Sequence, residues 1–325
     1  MISPQQSLEK KRCLVTGASG FIGAHLVRNL IHAGAEVTAL VRENTDLWRL
    51  KMVQSVCSII KANLVEPVEL DALFAAVKPA IVFNSAFPAG YPADLPGQQL
   101  MLEFAVKATG NLLHAATRHP VERFIHLGSS TEYGHGEQAH KESDTLAPDT
   151  IRGVAKAAST LLCQLYSREH ALHTAILRIF SVYGPMEKPG RLIPAVCKSL
   201  VEDQPVRLTS PGFMHDWVYV EDVARACLLA ASSESIMGEI INIGSGTQTS
   251  NEEIVETLFK ITGKNVPVEQ GAYPSGSHDA THWLADISKA RVLLGWQPET
   301  SLEKGLSSTY TYWKDYYNSS RFTPS

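Results

Sequence analysis

Short apolar runs alternate with amphipathic, helix-length segments through the first two-thirds of the chain. Strand-like runs fall at Arg12 to Thr16, Val37 to Val41, Val56 to Lys61, Ala80 to Asn84 and Arg123 to Leu127. Helical periodicity marks Gly23 to Ala33, Leu70 to Ala76 and Leu100 to Arg118. Strands separated by helices pair in parallel through crossovers, so this order predicts a parallel sheet covered on both faces, a doubly wound α/β fold. Thr174 to Phe180 and Glu239 to Ile243 read as later strands. The Pro- and Gly-punctuated stretches Tyr183 to Gly212 and Thr247 to Trp296 are expected to build a smaller interwoven α/β lobe over the carboxyl edge of the sheet.

Composition narrows the function classes. The chain has 325 residues, 44% hydrophobic and 19% charged, with 33 acidic against 29 basic side chains and a net charge of −4. No polybasic surface points to nucleic acid, and no apolar run approaches the roughly 20 residues that cross a bilayer. The polar start, Met1 to Lys11, has no signal-like apolar stretch, and five widely spaced cysteines form no disulfide framework or CxxC pair. A cytoplasmic protein is expected. Twelve histidines raise the question of a metal, but no HExxH occurs, and His278 and His282 have no nearby cysteine or carboxylate beyond Asp279. No metal site is expected.

The first strand runs directly into Gly17-Ala18-Ser19-Gly20-Phe21-Ile22-Gly23 and then a helix. Glycines there permit a tight turn and close backbone approach to a pyrophosphate, which the free N–H groups of the helix N-terminus stabilise. This strand-turn-helix at the head of an α/β chain predicts a dinucleotide site on Gly17, Ser19, Gly20, Phe21, Ile22 and Gly23. The second strand ends in Val41-Arg42, without the carboxylate that binds a ribose 2′-hydroxyl. Arg42 suits a 2′-phosphate, because its planar fork binds phosphate oxygens bidentately, so NADP(H) is favoured over NAD(H). Asn63 and Leu64 are placed at the adenine edge, and Ser85 and Ala86 beneath the ribose and nicotinamide.

With these motifs in place the chain resembles the extended short-chain dehydrogenase/reductase family, in particular the sugar-nucleotide epimerases, dehydratases and reductases. The resemblance spans about residues 11 to 317. It rests on Thr16 to Gly23, Leu127 to Gly134, Gly153-Val154-Ala155-Lys156-Ala157, Leu177 to Pro185, Asp216 to Ala224, Asn242 to Gly246 and Asp286 to Ala290. It implies a Rossmann domain over 11–182 plus about 216–245, and a substrate-binding lobe over about 183–215 plus 246–317. It also implies that Ser129 holds the substrate oxygen, that Thr131 faces the substrate, that Lys156 binds the nicotinamide ribose, and that Ile179 lines the cofactor. Ser181, Tyr183, Arg191 and His215 are implied as substrate contacts. A nucleotide sugar is the implied substrate, and a homodimer formed through helices Gly97 to His119 and Gly153 to His170 the implied assembly.

The family's Tyr-x-x-x-Lys pair is incomplete, because Arg152 stands four residues before Lys156. Arginine stays protonated at neutral pH and cannot shuttle a proton as a lysine-activated phenol does. Arg152 is instead expected to hold an anion or a developing oxyanion, and its charge beside Lys156 favours reduced cofactor or an anionic substrate. Tyr133, His135, Tyr183 and His215 are candidate replacement proton donors, among which the sequence does not choose. Family dehydratases carry an Asp-Glu or Ser-Glu pair right after the Ser/Thr; here Ser130 and Thr131 occupy those positions, with Glu132 displaced by one and turned away, so dehydration is disfavoured. The family's arginine clamp for a diphosphate is replaced around Gly276-Ser277-His278-Asp279. The leading expectation is carbonyl reduction or epimerisation of a nucleotide sugar or related polyhydroxylated metabolite. Two alternatives are non-redox enolisation or elimination on an anionic substrate held by Arg152, and a cofactor-binding pseudo-enzyme.

Overall fold

The computed structural model describes residues 7–90, 92–274 and 280–320. The first half contains β1 (Arg12–Thr16), α1 (Phe21–His32), β2 (Glu36–Val41), β3 (Ser58–Lys61), α2 (Pro67–Val77), β4 (Ile81–Asn84), α3 (Leu95–Arg118) and β5 (Arg123–Ser129). Then follow α4 (Ile151–His170), β6 (Thr174–Ile179), β7 (Ser181–Tyr183), α5 (Leu192–Glu202), β8 (Val206–Arg207), β9 (Met214–Tyr219) and α6 (Val220–Ser232). The chain closes with β10 (Glu239–Ile243), β11 (Gln248–Ser250), α7 (Asn251–Thr262), β12 (Val268–Glu269), α8 (Ser288–Leu294) and α9 (Leu302–Ser320).

Seven strands form one parallel sheet in the order β10-β6-β5-β4-β1-β2-β3. The chain winds outward in both directions from β1 and β4, and the resulting crevice at the carboxyl ends of those strands is where such sheets bind ligands. Central strands buried on both faces read as continuous apolar runs rather than alternating ones, as in Ile81-Val82-Phe83. One face packs Leu26, Val27 and Leu30 of α1 with Val223 and Cys227 of α6; the other packs Leu70 and Phe74 of α2 with Leu112 and Leu113 of α3 and Cys163 of α4.

A second core lies beside the sheet. Tyr183, Ile193, Val196, Leu200, Trp217, Ile254, Leu258, Leu306 and Trp313 bury one another there. Strands β11, β9 and β7 form a three-stranded sheet at its edge, and β8 pairs with β12. Strands β7, β8, β11 and β12 are only two or three residues long, too short for alternation to mark them in the sequence, and only tertiary pairing makes them strands. Helix α3 begins at Leu95, five residues before the periodicity suggests, because the Asp94 side chain accepts from the Gly97 N–H and a proline occupies the first turn, where its missing N–H costs nothing. Strand β3 starts at Ser58, after the turn through Val56 and Cys57.

Inside the sheet, Glu132 is fully buried. Its Oε2 accepts from Arg178 Nε of β6 at 2.8 Å, and its Oε1 accepts from the Ser129 N–H at 2.9 Å. Removing one partner of such a pair leaves an uncompensated buried charge, so Glu132→Ala is expected to cost about 3–5 kcal/mol, while Glu132→Leu with Arg178→Met recovers most of it. Equilibrium urea unfolding followed by tryptophan fluorescence measures both.

Candidate active site

The glycine turn joins β1 to α1 at the crevice. A Cβ on Gly23 would lie 2.2 Å from the Gly17 carbonyl oxygen, so only glycine lets the helix start fold this tightly against the turn. Gly20 caps α1 without a side-chain hydrogen bond, and no acidic residue stands in the first turn. The helix N-terminus therefore presents unsatisfied N–H groups and a positive dipole end with no competing carboxylate of its own, a cradle that fits a dinucleotide pyrophosphate. Ser85 and Ala86 are drawn against it from β4: Ser85 Oγ donates to the Thr16 carbonyl at 2.6 Å, and the Ala86 N–H donates to Thr16 Oγ1 at 3.2 Å. Leu64 is fixed at the next rim, where Asn111 Nδ2 donates to its carbonyl at 3.1 Å, and the Asn63 side chain turns back to the Val65 N–H at 3.3 Å. Arg42 is exposed at the end of β2, and Glu43 beside it is drawn to Lys61 at 3.0 Å. Ile179 is buried at the carboxyl end of β6.

The catalytic candidates gather where β5 meets α4. Ser129 ends β5, and its Oγ lies 2.8 Å from Thr131 Oγ1, so the two hydroxyls share one hydrogen bond at the sheet edge. Glu132 faces inward, away from them, as its order after Ser130 and Thr131 suggests. A Cβ on Gly153 would lie 2.3 Å from the Thr131 carbonyl oxygen, so this glycine lets the first turn of α4 rest on the turn that carries Thr131. Arg152 and Lys156 stand one helical turn apart on α4. Lys156 Nζ donates to the Leu127 carbonyl at 2.6 Å, and Arg152 Nη1 donates to the Pro88 carbonyl at 3.1 Å.

Between these two cations lies Phe87, which the sequence did not mark. Its ring centroid is 4.7 Å from Arg152 Cζ and 4.4 Å from Lys156 Nζ. The negative ring face attracts both charges and offsets part of the repulsion expected of the pair. Burial, then the neighbouring Arg152 charge, pushes the Lys156 amine down to about 7, with Glu132 and Cys163 opposing.

The four candidate proton donors separate. Tyr133 is buried: its hydroxyl donates to Asn242 Oδ1 at 2.7 Å, its ring stacks on His140, and burial pushes its phenol up to about 12. Tyr183 belongs to the second core, with its hydroxyl donating to the Leu302 carbonyl at 3.4 Å and its phenol raised by burial. His135 Nε2 pairs with Asp149 Oδ2 at 2.9 Å, and its ring meets the edge of Trp283. His215 Nδ1 lies 3.5 Å from Ser181 Oγ, which brings these two implied substrate contacts together. Arg191 caps α5 at a distance, 3.6 Å from Glu187. The replaced clamp, Gly276 to Asp279, lies outside the described residues.

Two further residues escaped sequence reasoning. Arg49 donates to the Ser19 carbonyl at 3.3 Å and to the Met186 carbonyl at 2.8 Å, tying the glycine turn to the loop that enters the second lobe. Trp283 donates from Nε1 to Ser130 Oγ at 3.0 Å. Neither contact has a local sequence signal, since the partners are distant in the chain. Asp216 was visible within its motif: buried, it accepts from Ser245 Oγ at 2.8 Å and from the Gly246 and Ala285 N–H groups at 3.0 Å each, and so joins β9 to the segments after β10 and before α8.

Residues 13–244 match the model of the NAD dependent epimerase/dehydratase family. The chain belongs to this family. An uncharacterized UDP-glucose epimerase of Bacillus subtilis is 27% identical, covering 94% of this chain and 99% of that protein. A Bacillus cereus UDP-glucuronic acid 4-epimerase, solved with UDP-glucuronic acid and NAD, is 29% identical with a TM-score of 0.85, covering 94% of this chain and 99% of its own. An epimerase of Methanothermobacter thermautotrophicus superposes with a TM-score of 0.90 at 26% identity, covering 98% and 97% of the two chains. The family is one of enzymes, so the resemblance read from the motifs holds at the level of fold and enzyme class. Within that family fold, no described helix is long and apolar enough to cross a membrane.

Two outcomes follow from this geometry. Gly23→Ala pushes a methyl into the Gly17 carbonyl and is expected to weaken dinucleotide binding at least about tenfold, a loss of roughly 1.4 kcal/mol, read by fluorescence titration. The Glu187 carboxyl is raised to about 8 by burial, against the pull of Arg191. A folded-state pKa raised above the unfolded value gives a contribution that is full below about 4.5 and is lost as pH rises through about 8. Glu187→Gln is therefore expected to gain stability relative to the parent between those values and most above them, measured as a pH-dependent difference in Tm.

Proposed function

We propose that the protein is an NADP(H)-binding extended short-chain dehydrogenase/reductase that acts on a nucleotide sugar or related polyhydroxylated metabolite by carbonyl reduction or epimerisation. The observation that carries this reading is the convergence of the glycine cradle, the Ser129–Thr131 hydroxyl pair and Lys156 on one crevice, in a chain that matches nucleotide-sugar epimerases along almost its full length. Ser129 orients the substrate oxygen through its hydroxyl, and Thr131 extends that contact. A nicotinamide dinucleotide bound on Gly17, Ser19, Gly20, Phe21, Ile22 and Gly23 supplies reversible hydride transfer. Asn63, Leu64, Ser85, Ala86 and Ile179 would line its path, and Lys156 would bind its ribose.

Arg42 supports NADP(H): it is exposed at the end of β2, no carboxylate occupies that position, and Glu43 is engaged by Lys61. The Bacillus cereus relative was solved with NAD, so the reading for NADP(H) rests on Arg42 itself. Reduction or epimerisation is favoured over dehydration because the only carboxylate of the Ser129 turn, Glu132, is held by Arg178 in the interior. Ser181, His215 and Arg191 offer polar and cationic contacts to the nucleotide part of the substrate, and the second lobe, about 183–215 plus 246–317, carries that part. Exposed Leu100 and Val106 on α3 and Leu161 and Leu165 on α4 support pairing of these helices between two copies in a cytoplasmic homodimer.

Arg42→Glu is expected to lower NADPH affinity by about tenfold or more while leaving NADH binding within a few-fold, because it removes a bidentate phosphate contact and adds a like charge. Titration of both reduced cofactors by fluorescence tests this. Incubation with UDP-glucuronic acid or UDP-glucose, followed at 340 nm and by product chromatography, tests the reaction class: epimerisation changes the sugar with no net change in absorbance, and the complete absence of a new sugar with either cofactor overturns the reading.

A further inference from the structure

The site lacks a phenol in the place where its family would hold one, and the side chains around Ser129 narrow what moves the proton. Arg152 keeps its charge at neutral pH. The hydroxyls of Tyr133 and Tyr183 are committed to Asn242 and to the Leu302 carbonyl inside two separate cores. Lys156 differs from these. Its Nζ is buried against β5, the strand that ends in Ser129, with one carbonyl acceptor and the face of Phe87 as its partners, and no carboxylate lies within ion-pair distance of it among the described residues. An ammonium so placed has three N–H groups and one oxygen acceptor, an arrangement that suits the neutral amine better.

We propose that the ε-amine of Lys156 itself exchanges the proton at the substrate oxygen held by Ser129, with Arg152 as a positioning residue one helical turn away. The inference rests on the nucleotide-sugar reading above. In the oxidative direction the substrate O–H bond breaks and its proton passes to the lone pair of Nζ, which becomes an ammonium. The hydrogen on the same carbon leaves as hydride to the oxidised nicotinamide dinucleotide, the oxidant that this step requires, and a carbonyl remains. In the reverse direction the Nζ ammonium returns the proton as the carbonyl is reduced.

The groups that face Nζ set its charge. On its own helix these are Arg152, which opposes protonation, and Cys163. From the turn after β5 comes Glu132, whose charge is shared with Arg178 of β6. From β5 comes His126, which burial keeps neutral. Phe87, after β4, places its ring over both cations. Replacing Arg152 by a neutral residue thus removes the cationic neighbour that opposes protonation of Nζ.

Lysine-selective 13C labelling and NMR titration of the intact protein test the proposal without any substrate. One lysine resonance, assigned by its loss in Lys156→Arg, is expected to titrate near pH 7. In Arg152→Gln its midpoint is expected to rise by roughly one unit or more, as removal of an adjacent like charge requires. A midpoint near the ordinary lysine value in the parent protein, or one that Arg152→Gln leaves in place, overturns the proposal. With UDP-glucuronic acid and oxidised cofactor, Lys156→Arg and Lys156→Met are both expected to lose at least about a hundredfold in rate, the lower end of a general acid–base contribution. Cofactor binding by the same variants, read by fluorescence, separates this from loss of ribose contact. Full turnover in Lys156→Arg with loss in His135→Gln overturns the proposal in favour of the His135–Asp149 pair. If no nucleotide sugar reacts while the Lys156 resonance titrates near neutrality and responds to Arg152→Gln, the substrate reading fails and the titration still supports an amine poised to exchange protons.

Discussion

The carboxylate of Glu132 accepts from the Ser129 N–H on one side and from the Arg178 guanidinium on the other, inside a sheet that excludes water. The turn that carries Ser129 and Thr131 is held by this contact. With it, Ser129 and Thr131 share a hydrogen bond at the crevice, and α4 rests on the Thr131 carbonyl through Gly153. The same anchorage makes the glutamate unavailable for chemistry: the side chain that stabilises the turn cannot also remove a proton from a substrate.

Electrostatics in the crevice follow from two side chains one helical turn apart on α4, Arg152 and Lys156. An arginine one turn before a buried lysine brings two basic groups together, each lowering the other's affinity for a proton. The chain accommodates them by turning Arg152 outward to the Pro88 carbonyl, Lys156 inward to the Leu127 carbonyl, and by setting Phe87 between them. The segment after β4 thereby becomes part of the crevice wall. Arg49 plays a comparable part on the cofactor side, where its two carbonyl contacts join the glycine turn to the entrance of the second lobe.

Much of this was legible in the chain. The parallel sheet, its glycine turn and the positions of Ser129, Arg152 and Lys156 follow from periodicity and from motifs whose parts lie within a few residues of one another. The inward turn of Glu132 was legible too, from its place one residue beyond the positions that face the substrate. Phe87, Arg49 and Trp283 were not legible, because each acts on a partner that the chain reaches only after one or more crossovers. Tyr133 and His135, two residues apart and both plausible proton donors in sequence, end in opposite environments, one stacked on His140 in the core and one on the rim beside Asp149. The small strands β7, β8, β11 and β12 likewise depend on pairing rather than on their own patterns.

By itself the sequence determined the fold class, the glycine turn and the arginine four residues before Lys156, because these depend on local geometry: helix and strand periods, backbone freedom at glycine, and the chemistry of a single side chain. Tertiary structure alone decided which ionisable groups are charged, paired or buried. Proton affinity and hydrogen-bond commitment depend on the dielectric and on neighbours brought together from distant segments, and Lys156, set among β4, β5 and its own helix, is the residue for which that difference matters most.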